Sequence, residues 1–84
     1  MLLLVVYYKC MQEKSTDINK KVGDIIRIER AKKNFSQEAL AHAANISVNG
    51  MGKIERGDVS ASIQTLEKIA KALEISIVKL VDFR

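Results

Sequence analysis

The side chains best suited to chemistry in this sequence are hydrogen-bond donors concentrated between residues 37 and 56. They are Gln37, Ser47, Asn49, Lys53 and Arg56. An amide such as that of Asn49 can form two hydrogen bonds with the edge of a planar base, and Lys or Arg can neutralise a phosphate. These groups favour the recognition of a patterned polyanion rather than the turnover of a substrate.

Catalytic and metal-binding patterns are missing from the sequence. His42 and Cys10 are the only histidine and cysteine, so they cannot supply the four ligands of a zinc site. No Ser/His/Asp set, paired carboxylate site or phosphate-binding glycine motif accompanies His42. Cys10 has no second cysteine with which to form an intrachain disulfide. We therefore expect a protein that is not an enzyme and that holds no cofactor and no metal.

Two short predicted helices carry the donors. One spans 37–44 and the other spans 48–56, and three residues, Asn45-Ile46-Ser47, join them. This is the spacing of a helix-turn-helix, and Asn45 tolerates the left-handed backbone that so sharp a turn needs. In such a motif the second helix enters the major groove of DNA with its N-terminal residues facing base edges.

Helix signals on either side of this motif complete an all-α pattern of five helices. The first is predicted over about 21–32, the fourth over 62–73 and the fifth over 77–81. Residues able to cap or stop helices stand at the predicted ends: Ser36, Ser47, Ser62 and Gly57. One apolar stripe of the fourth helix is predicted to face the core: Ile63, Leu66, Ile69, Ala70 and Leu73.

Three runs of residues carry a family resemblance: Ser36-Gln37-Glu38-Ala39-Leu40-Ala41, Asn45-Ile46-Ser47 and Ile54-Glu55-Arg56-Gly57. In order and spacing they are similar to the signature of the Cro/repressor-type (Xre-like) helix-turn-helix family of phages and bacteria. The resemblance extends from Val22 to Leu80, with a narrower similarity to restriction–modification controller proteins. It implies a lambda-repressor-like domain over 22–84 that binds double-stranded DNA and regulates transcription.

The resemblance also implies roles for individual residues. Three residues of the second motif helix are expected to read bases: Val48, Asn49 and Lys53. Four residues are expected to contact phosphates: Gln37, Ser47, Arg56 and Ser60. Arg30 and Glu55 are expected to form a buried ion pair that ties the first helix to the recognition helix. The competing interpretation of each polar residue is an ordinary solvated or helix-capping side chain.

Some residues depart from the family pattern. Asn45 stands where glycine is usual, and Glu29 stands where an apolar residue is usual. Gly50 and Gly52 lie inside the predicted recognition helix, where each costs about 1 kcal/mol relative to alanine. They allow either a close approach of the backbone to DNA or a slack, weakly specifying helix.

Length and charge agree with a small nucleic-acid-binding domain. The chain has 84 residues, 48% of them hydrophobic, and a formal net charge of +4. Residues 58–84 contain as many acidic as basic side chains, so the basic surplus lies in the first two thirds. The apolar run MLLLVVYY is shorter than the roughly 20 residues needed to cross a membrane. We expect a cytoplasmic protein without a membrane anchor.

Residues 1–21 are predicted to form an extension that the family resemblance does not cover. The apolar run favours a short β-strand over Leu2–Tyr8. Such a strand would pair with its copy in another subunit and cover an apolar patch formed by Ile25 and Ile28. The alternative is an upstream start, with Met11 as the true initiator.

The C-terminal third predicts self-association. A domain this small cannot bury every apolar side chain in this segment. We expect Val78, Val81 and Phe83 to lie in a two-fold interface. The predicted assembly is a homodimeric repressor on a palindromic operator. Two alternatives remain open: an antitoxin that represses its own operon, or a protein–protein adaptor of the same fold. Either would bring a protein partner such as a toxin, and a regulator could contact RNA polymerase.

Overall fold

A computed structural model of the chain describes residues 15–82, and these fold as five α-helices with no strand among them. The helices are α1 Ser15–Lys32, α2 Gln37–Ala43, α3 Val48–Arg56, α4 Ile63–Leu73 and α5 Ile77–Leu80. The predicted all-α helix-turn-helix fold is confirmed for this part of the chain. The predicted strand over Leu2–Tyr8 and the interface residue Phe83 lie outside the described residues.

Helix α1 is longer than predicted. It includes Ser15, whereas the prediction placed its start near residue 21. Residues 15–20 are mostly polar, which made them resemble a linker. Ile18, however, stands four residues before Val22 and eight before Ile26, so it continues the same helical stripe. The predicted division of the chain after residue 21 falls inside this helix.

Serine side chains cap three of the helices as predicted. The Ser36 Oγ accepts a hydrogen bond from the Ala39 N–H at 3.0 Å. The Ser47 Oγ accepts one from the Gly50 N–H at 2.9 Å, and the Ser62 Oγ accepts one from the Thr65 N–H at 3.1 Å. Each bond satisfies a backbone donor that a helix start otherwise leaves without a partner.

Left-handed residues end the helices and shape the turns. Asn45 has φ 59° and Gly57 has φ 77°, as the turn and the helix stop require. Asn34, with φ 58°, ends α1. Glu74 at φ 59° caps α4, a position where glycine or asparagine is usual. This use of a glutamate was not predicted.

All five helices contribute buried side chains to one core. Its fully buried large side chains are Ile26, Leu40, Met51, Ile69, Leu73 and Leu80. The prediction that Ile63 faces this core is wrong, since Ile63 is 77% exposed. At 100° per residue it stands at the edge of the α4 stripe, in the first turn of the helix.

Two glycines bring α1 against the C-terminal half of α3. A Cβ atom built on Gly23 would lie 2.4 Å from the Glu55 carbonyl oxygen, so only glycine allows this crossing. A Cβ atom on Gly57 would lie 2.8 Å from the Lys20 Cα. The backbone of α1 therefore runs in direct contact with the end of α3.

The buried carboxylate of Glu29 joins α1 to α5. Glu29, which replaces the apolar residue usual in the family, is buried at 5% exposure. Its Oε2 lies 3.3 Å from the Lys32 Nζ and 3.5 Å from the Lys79 Nζ. Burial alone would raise the pKa of Glu29, but the two lysines outweigh burial, and its pKa lies below the ordinary value of 4.5.

Candidate nucleic-acid interface

The helix-turn-helix is built by local hydrogen bonds and one close contact. The Ile46 N–H donates to the Ala41 carbonyl oxygen at 2.9 Å and closes the turn. Ala41 is fully buried, and its small side chain leaves room for α3 to cross α2. Met51 and Ile54, both buried, hold the inner face of α3 on the core. The opposite face of α3 is thereby turned to solvent.

The residues predicted to read bases lie on this outer side of α3. Val48, in the first turn, is 45% exposed. Asn49 and Lys53 are also exposed, and because they are four residues apart they lie on the same helix face. The structure therefore brings an amide and an ammonium together on a free surface.

A buried carboxylate braces α3 from behind. Arg30 donates from Nε to Glu55 Oε2 at 2.9 Å and from Nη2 to Glu55 Oε1 at 3.1 Å. Gln37 Nε2 donates to Glu55 Oε1 at 3.2 Å, and Arg30 Nη1 donates to the Phe35 carbonyl oxygen at 3.0 Å. One network thus fixes α1, the α1–α2 loop, α2 and α3 relative to one another. The Gln37–Glu55 bond was not predicted, because nothing local in the sequence indicates it.

The two glycines inside α3 lie close to the ends of neighbouring side chains. A Cβ atom on Gly52 would lie 3.1 Å from the Arg56 Nη1 and 3.5 Å from the Gln37 Oε1, so this buried glycine lies beneath both side chains. A Cβ atom on Gly50 would lie 2.9 Å from the Ser47 Oγ. The cap itself does not require Gly50, because Ser36 and Ser62 cap helices whose corresponding residues, Ala39 and Thr65, carry a Cβ atom. Gly52 lies in contact with the ends of the Gln37 and Arg56 side chains.

The residues predicted to contact phosphates have partners within the chain. Ser47 caps α3, and half-buried Gln37 binds Glu55. Arg56, at the end of α3, donates from Nε to the Asp58 Oδ2 at 2.9 Å, with both side chains exposed. The Ser60 Oγ donates to the Asn19 Oδ1 at 3.1 Å. Asn19 is not among the predicted site residues, because it falls in the extension over residues 1–21 that the family resemblance does not cover.

The apolar residues predicted to lie in an interface are exposed where the structure describes them. Val78 is 63% and Val81 is 45% exposed. Val81 lines an apolar groove of about 180 Å³ together with Ile18 and Val59. The predicted Ile25–Ile28 patch is smaller than expected, because Ile25 is half-buried against the core, whereas Ile28 is 56% exposed.

Residues 15–82 contain neither a candidate metal site nor a candidate membrane-spanning helix. No group of three or more His, Cys, Asp or Glu residues in this range is arranged to hold a metal ion. None of the helices in the same range is long and apolar enough to cross a membrane.

Comparisons with known proteins agree with this geometry. The control protein C.BamHI of Bacillus amyloliquefaciens is 39% identical over 57 residues, which cover 68% of this chain and 70% of that protein. The HTH-type transcriptional regulator SlrR of Bacillus subtilis (strain 168) is 37% identical over 62 residues, or 73% of this chain, but the match spans 41% of SlrR.

Solved structures give the same result. The restriction-modification controller protein C.AhdI of Aeromonas hydrophila superposes with a TM-score of 0.72 at 34% identity, covering 74% of this chain and 94% of that one. The sequence profile of the HTH_3 helix-turn-helix family matches residues 26–80, from the middle of α1 to the end of α5. The predicted resemblance is confirmed, and the chain belongs to the HTH_3 helix-turn-helix family.

Proposed function

We propose that this protein is a sequence-specific, double-stranded DNA-binding transcriptional regulator that works in the bacterial cytoplasm. The observation that carries the proposal is the exposed face of α3, where Asn49 and Lys53 project from a helix braced by Glu55. A braced helix presents its side chains to a groove without losing further conformational freedom, which lowers the entropic cost of binding.

In the proposed complex α3 lies in the major groove. Asn49 pairs through its amide with adenine N6 and N7, and the Val48 methyl groups contact a thymine methyl. Lys53, one turn further along, reaches a guanine acceptor or the adjacent phosphate. These contacts supply the preference for one base sequence over another.

Phosphate contacts fix the register of α3 in the groove. The Gln37 amide has two N–H donors, and because one binds Glu55, the other remains for a phosphate oxygen. Arg56, exposed at the far end of α3, neutralises a second phosphate. The hydrogen bond to Glu55 links the Gln37 phosphate contact directly to the recognition helix.

The regulator acts as a homodimer in this proposal. Val78 and Val81 join two copies about a two-fold axis, and the two recognition helices lie about 34 Å apart on a palindromic operator. A dimer reads twice as many base pairs as one domain, which supports repression at a single genomic site.

The test is a binding titration of Asn49→Ala and Gln37→Ala against operator and random duplexes. The operator is first located by footprinting the DNA upstream of the gene. Asn49→Ala should weaken operator binding by about 1–3 kcal/mol and relax the preference at one base pair. Gln37→Ala should weaken binding to both duplexes by a similar factor, since phosphates carry no base identity.

A matched control is Lys68→Gln on the exposed face of α4, which should leave the specificity ratio unchanged. If Asn49→Ala kept the parent's preference for the operator, Asn49 would not read a base. A parent protein that preferred no duplex would overturn the proposed function and favour the adaptor alternative. Co-purification with a toxin would favour the antitoxin.

A further inference from the structure

Asn49 differs from the other asparagines of the chain in the residue that follows it. The sequence has four asparagines, and three of them precede a larger residue: Asn19, Asn34 and Asn45. Asn49 precedes Gly50. Because glycine has no Cβ atom, its backbone nitrogen can approach the carbonyl carbon of the preceding side chain with little steric hindrance. Asn49 is therefore the asparagine whose sequence most favours loss of the side-chain amide.

The structure places this pair of residues in the first turn of α3. The Asn49 side chain is exposed to solvent, and Gly50 is half-buried. A backbone N–H in the first turn of a helix has no carbonyl acceptor one turn earlier in the same helix. The Gly50 N–H donates instead to the Ser47 Oγ at 2.9 Å. A serine hydroxyl thus holds the nitrogen that would attack the Asn49 side chain.

The turn that contains Asn49 is secured at its two ends. Ser47 caps the helix, and its carbonyl oxygen accepts from the Met51 N–H at 2.9 Å. Met51 is fully buried and anchors the helix on the core, whereas Val48 and Asn49 between them are exposed. Such a helix start can open locally while the rest of the fold stays closed. The strength of the serine cap sets how often Gly50 is released.

We propose that Asn49 is a site of spontaneous deamidation and that the Ser47 cap controls its rate. When the turn opens, the Gly50 nitrogen gives up its proton to solvent and forms a bond to the Asn49 Cγ. The bond from Cγ to Nδ2 then breaks, and the amide leaves as ammonia. Water opens the resulting five-membered succinimide at either carbonyl. The products are aspartate or isoaspartate at position 49, and no oxidant or reductant is needed.

This modification would change the recognition surface, a consequence that rests on the proposed DNA-binding function. It replaces the two amide donors of Asn49 with a carboxylate, which can no longer pair with adenine N7 and which repels the phosphates. In the proposed complex the Asn49 amide is hydrogen-bonded to a base, and the helix start is held closed. The DNA-bound regulator is therefore protected, whereas the free protein loses its affinity for the operator with time.

The chemical step is tested by incubating the full-length protein at mildly alkaline pH. Peptide mass spectrometry follows the conversion of amide to acid, with Asn34 and Asn45, also exposed, as internal references. Asn49 should react faster than either of them. Ser47→Ala should raise the rate at Asn49 about fivefold, the factor that corresponds to the ~1 kcal/mol cost of losing a serine cap.

Two further variants are matched controls for the rate. Ser47→Thr keeps a hydroxyl acceptor for the Gly50 N–H, so its rate at Asn49 should stay close to that of the parent. Gly50→Ala adds a Cβ atom beside the attacking nitrogen and favours the closed helix. Its rate at Asn49 should fall to the rates at Asn34 and Asn45.

The effect on recognition has a separate measurement. Asn49→Asp, which reproduces one product, should lower operator affinity by at least about tenfold. The aged parent should lose operator affinity in step with the modified fraction, whereas aged Gly50→Ala should keep the affinity of its fresh sample. Saturating operator DNA should slow the reaction at Asn49 but not at Asn34.

The outcomes separate the modification from the proposed function. If Asn49 reacts no faster than Asn34 and Asn45, or if Ser47→Ala reacts at the parent's rate, the proposed site is wrong. If Asn49 deamidates as expected but the fresh parent binds no DNA, the modification site stands and the proposed function fails.

Discussion

At the scale of single residues, two buried carboxylates hold different helices in place. Glu55 accepts three hydrogen bonds, from Arg30 and Gln37, and lies behind the recognition helix. Among the described residues, Glu29 is paired only with the ammonium groups of Lys32 and Lys79, both of them more than half exposed. Directional bonds therefore orient α3, whereas charge attraction holds α5 near α1. The attachment through Glu29 should therefore weaken as the salt concentration rises.

The Glu29 pair predicts a defined pH dependence. Because the folded-state pKa is below 4.5, the ion pairs stabilise the protein above that pH, and the contribution is lost as the pH falls through the folded-state pKa. Glu29→Gln should therefore be less stable than the parent at pH 7, and the difference should shrink towards zero in strong acid. Urea unfolding at a series of pH values measures this difference.

The control for this titration is Glu67→Gln on the exposed face of α4. Its difference from the parent should be small at every pH. A Glu29→Gln difference that stayed constant from pH 7 to acid would show that the carboxylate charge contributes no stability.

At the scale of elements, α1 supports the C-terminal half of α3. Gly23 allows the two backbones to approach, Arg30 binds Glu55, and Lys20 lies against Gly57. Each contact joins residues more than twenty positions apart. The orientation of the recognition helix therefore depends on α1 as much as on the turn that connects it to α2.

Gly23→Ala tests this dependence. Alanine favours a helix by about 1 kcal/mol relative to glycine. The new Cβ atom would, however, lie 2.4 Å from the Glu55 carbonyl oxygen and 2.6 Å from that of Ile54, both of them rigid backbone. The clash should win, for a net loss of about 2–3 kcal/mol in the free energy of unfolding.

Ala31→Gly, at an exposed position of the same helix, isolates the propensity effect and should cost about 1 kcal/mol. Denaturant unfolding of the two variants supplies both values. If the Gly23→Ala protein were as stable as the parent, α1 and α3 could move apart without any loss in the free energy of unfolding.

At the scale of the whole molecule, exposed apolar side chains collect around the C-terminal end of the described fold. Val78 projects from α5, and Val81 follows it beside the groove that it shares with Ile18 and Val59. Exposed apolar side chains of this kind are typical of an association surface. Val78 and Val81 themselves follow α4 in the chain and belong to neither α2 nor α3.

Val81→Asp should dissociate the proposed dimer, because burying an unpaired carboxylate in an apolar interface is costly. Sedimentation equilibrium gives the oligomeric state directly. Val48→Asp places the same change on the exposed start of α3 and should leave a dimer that binds DNA poorly. Dimers of equal stability for the parent and Val81→Asp would exclude this surface as the interface.

Local signals explain which parts of the fold could be predicted from the sequence. Ser36, Ser47 and Gly57 act on atoms within a few residues, and the helices that they bound were predicted closely. Contacts across the fold left no such signal. The Asn19–Ser60 bond joins residues 41 positions apart, and Gly23 has its reason in a carbonyl of another helix. The candidate base-reading residues came from the family motif, whereas the bond between Gln37 and Glu55 required coordinates.

Because the buried and the exposed residues of α3 have separate roles, the sequences of related proteins can diverge in a particular way. Met51, Ile54 and Glu55 carry the attachment of the helix, whereas Asn49 and Lys53 face solvent. Substitutions at exposed positions usually change stability by less than about 0.5 kcal/mol. After gene duplication, two copies could therefore drift to different target sequences through these outer positions while their folds stay equally sound. The fold can therefore accept new DNA specificities, because the residues of α3 that stabilise it are buried and differ from those that face solvent.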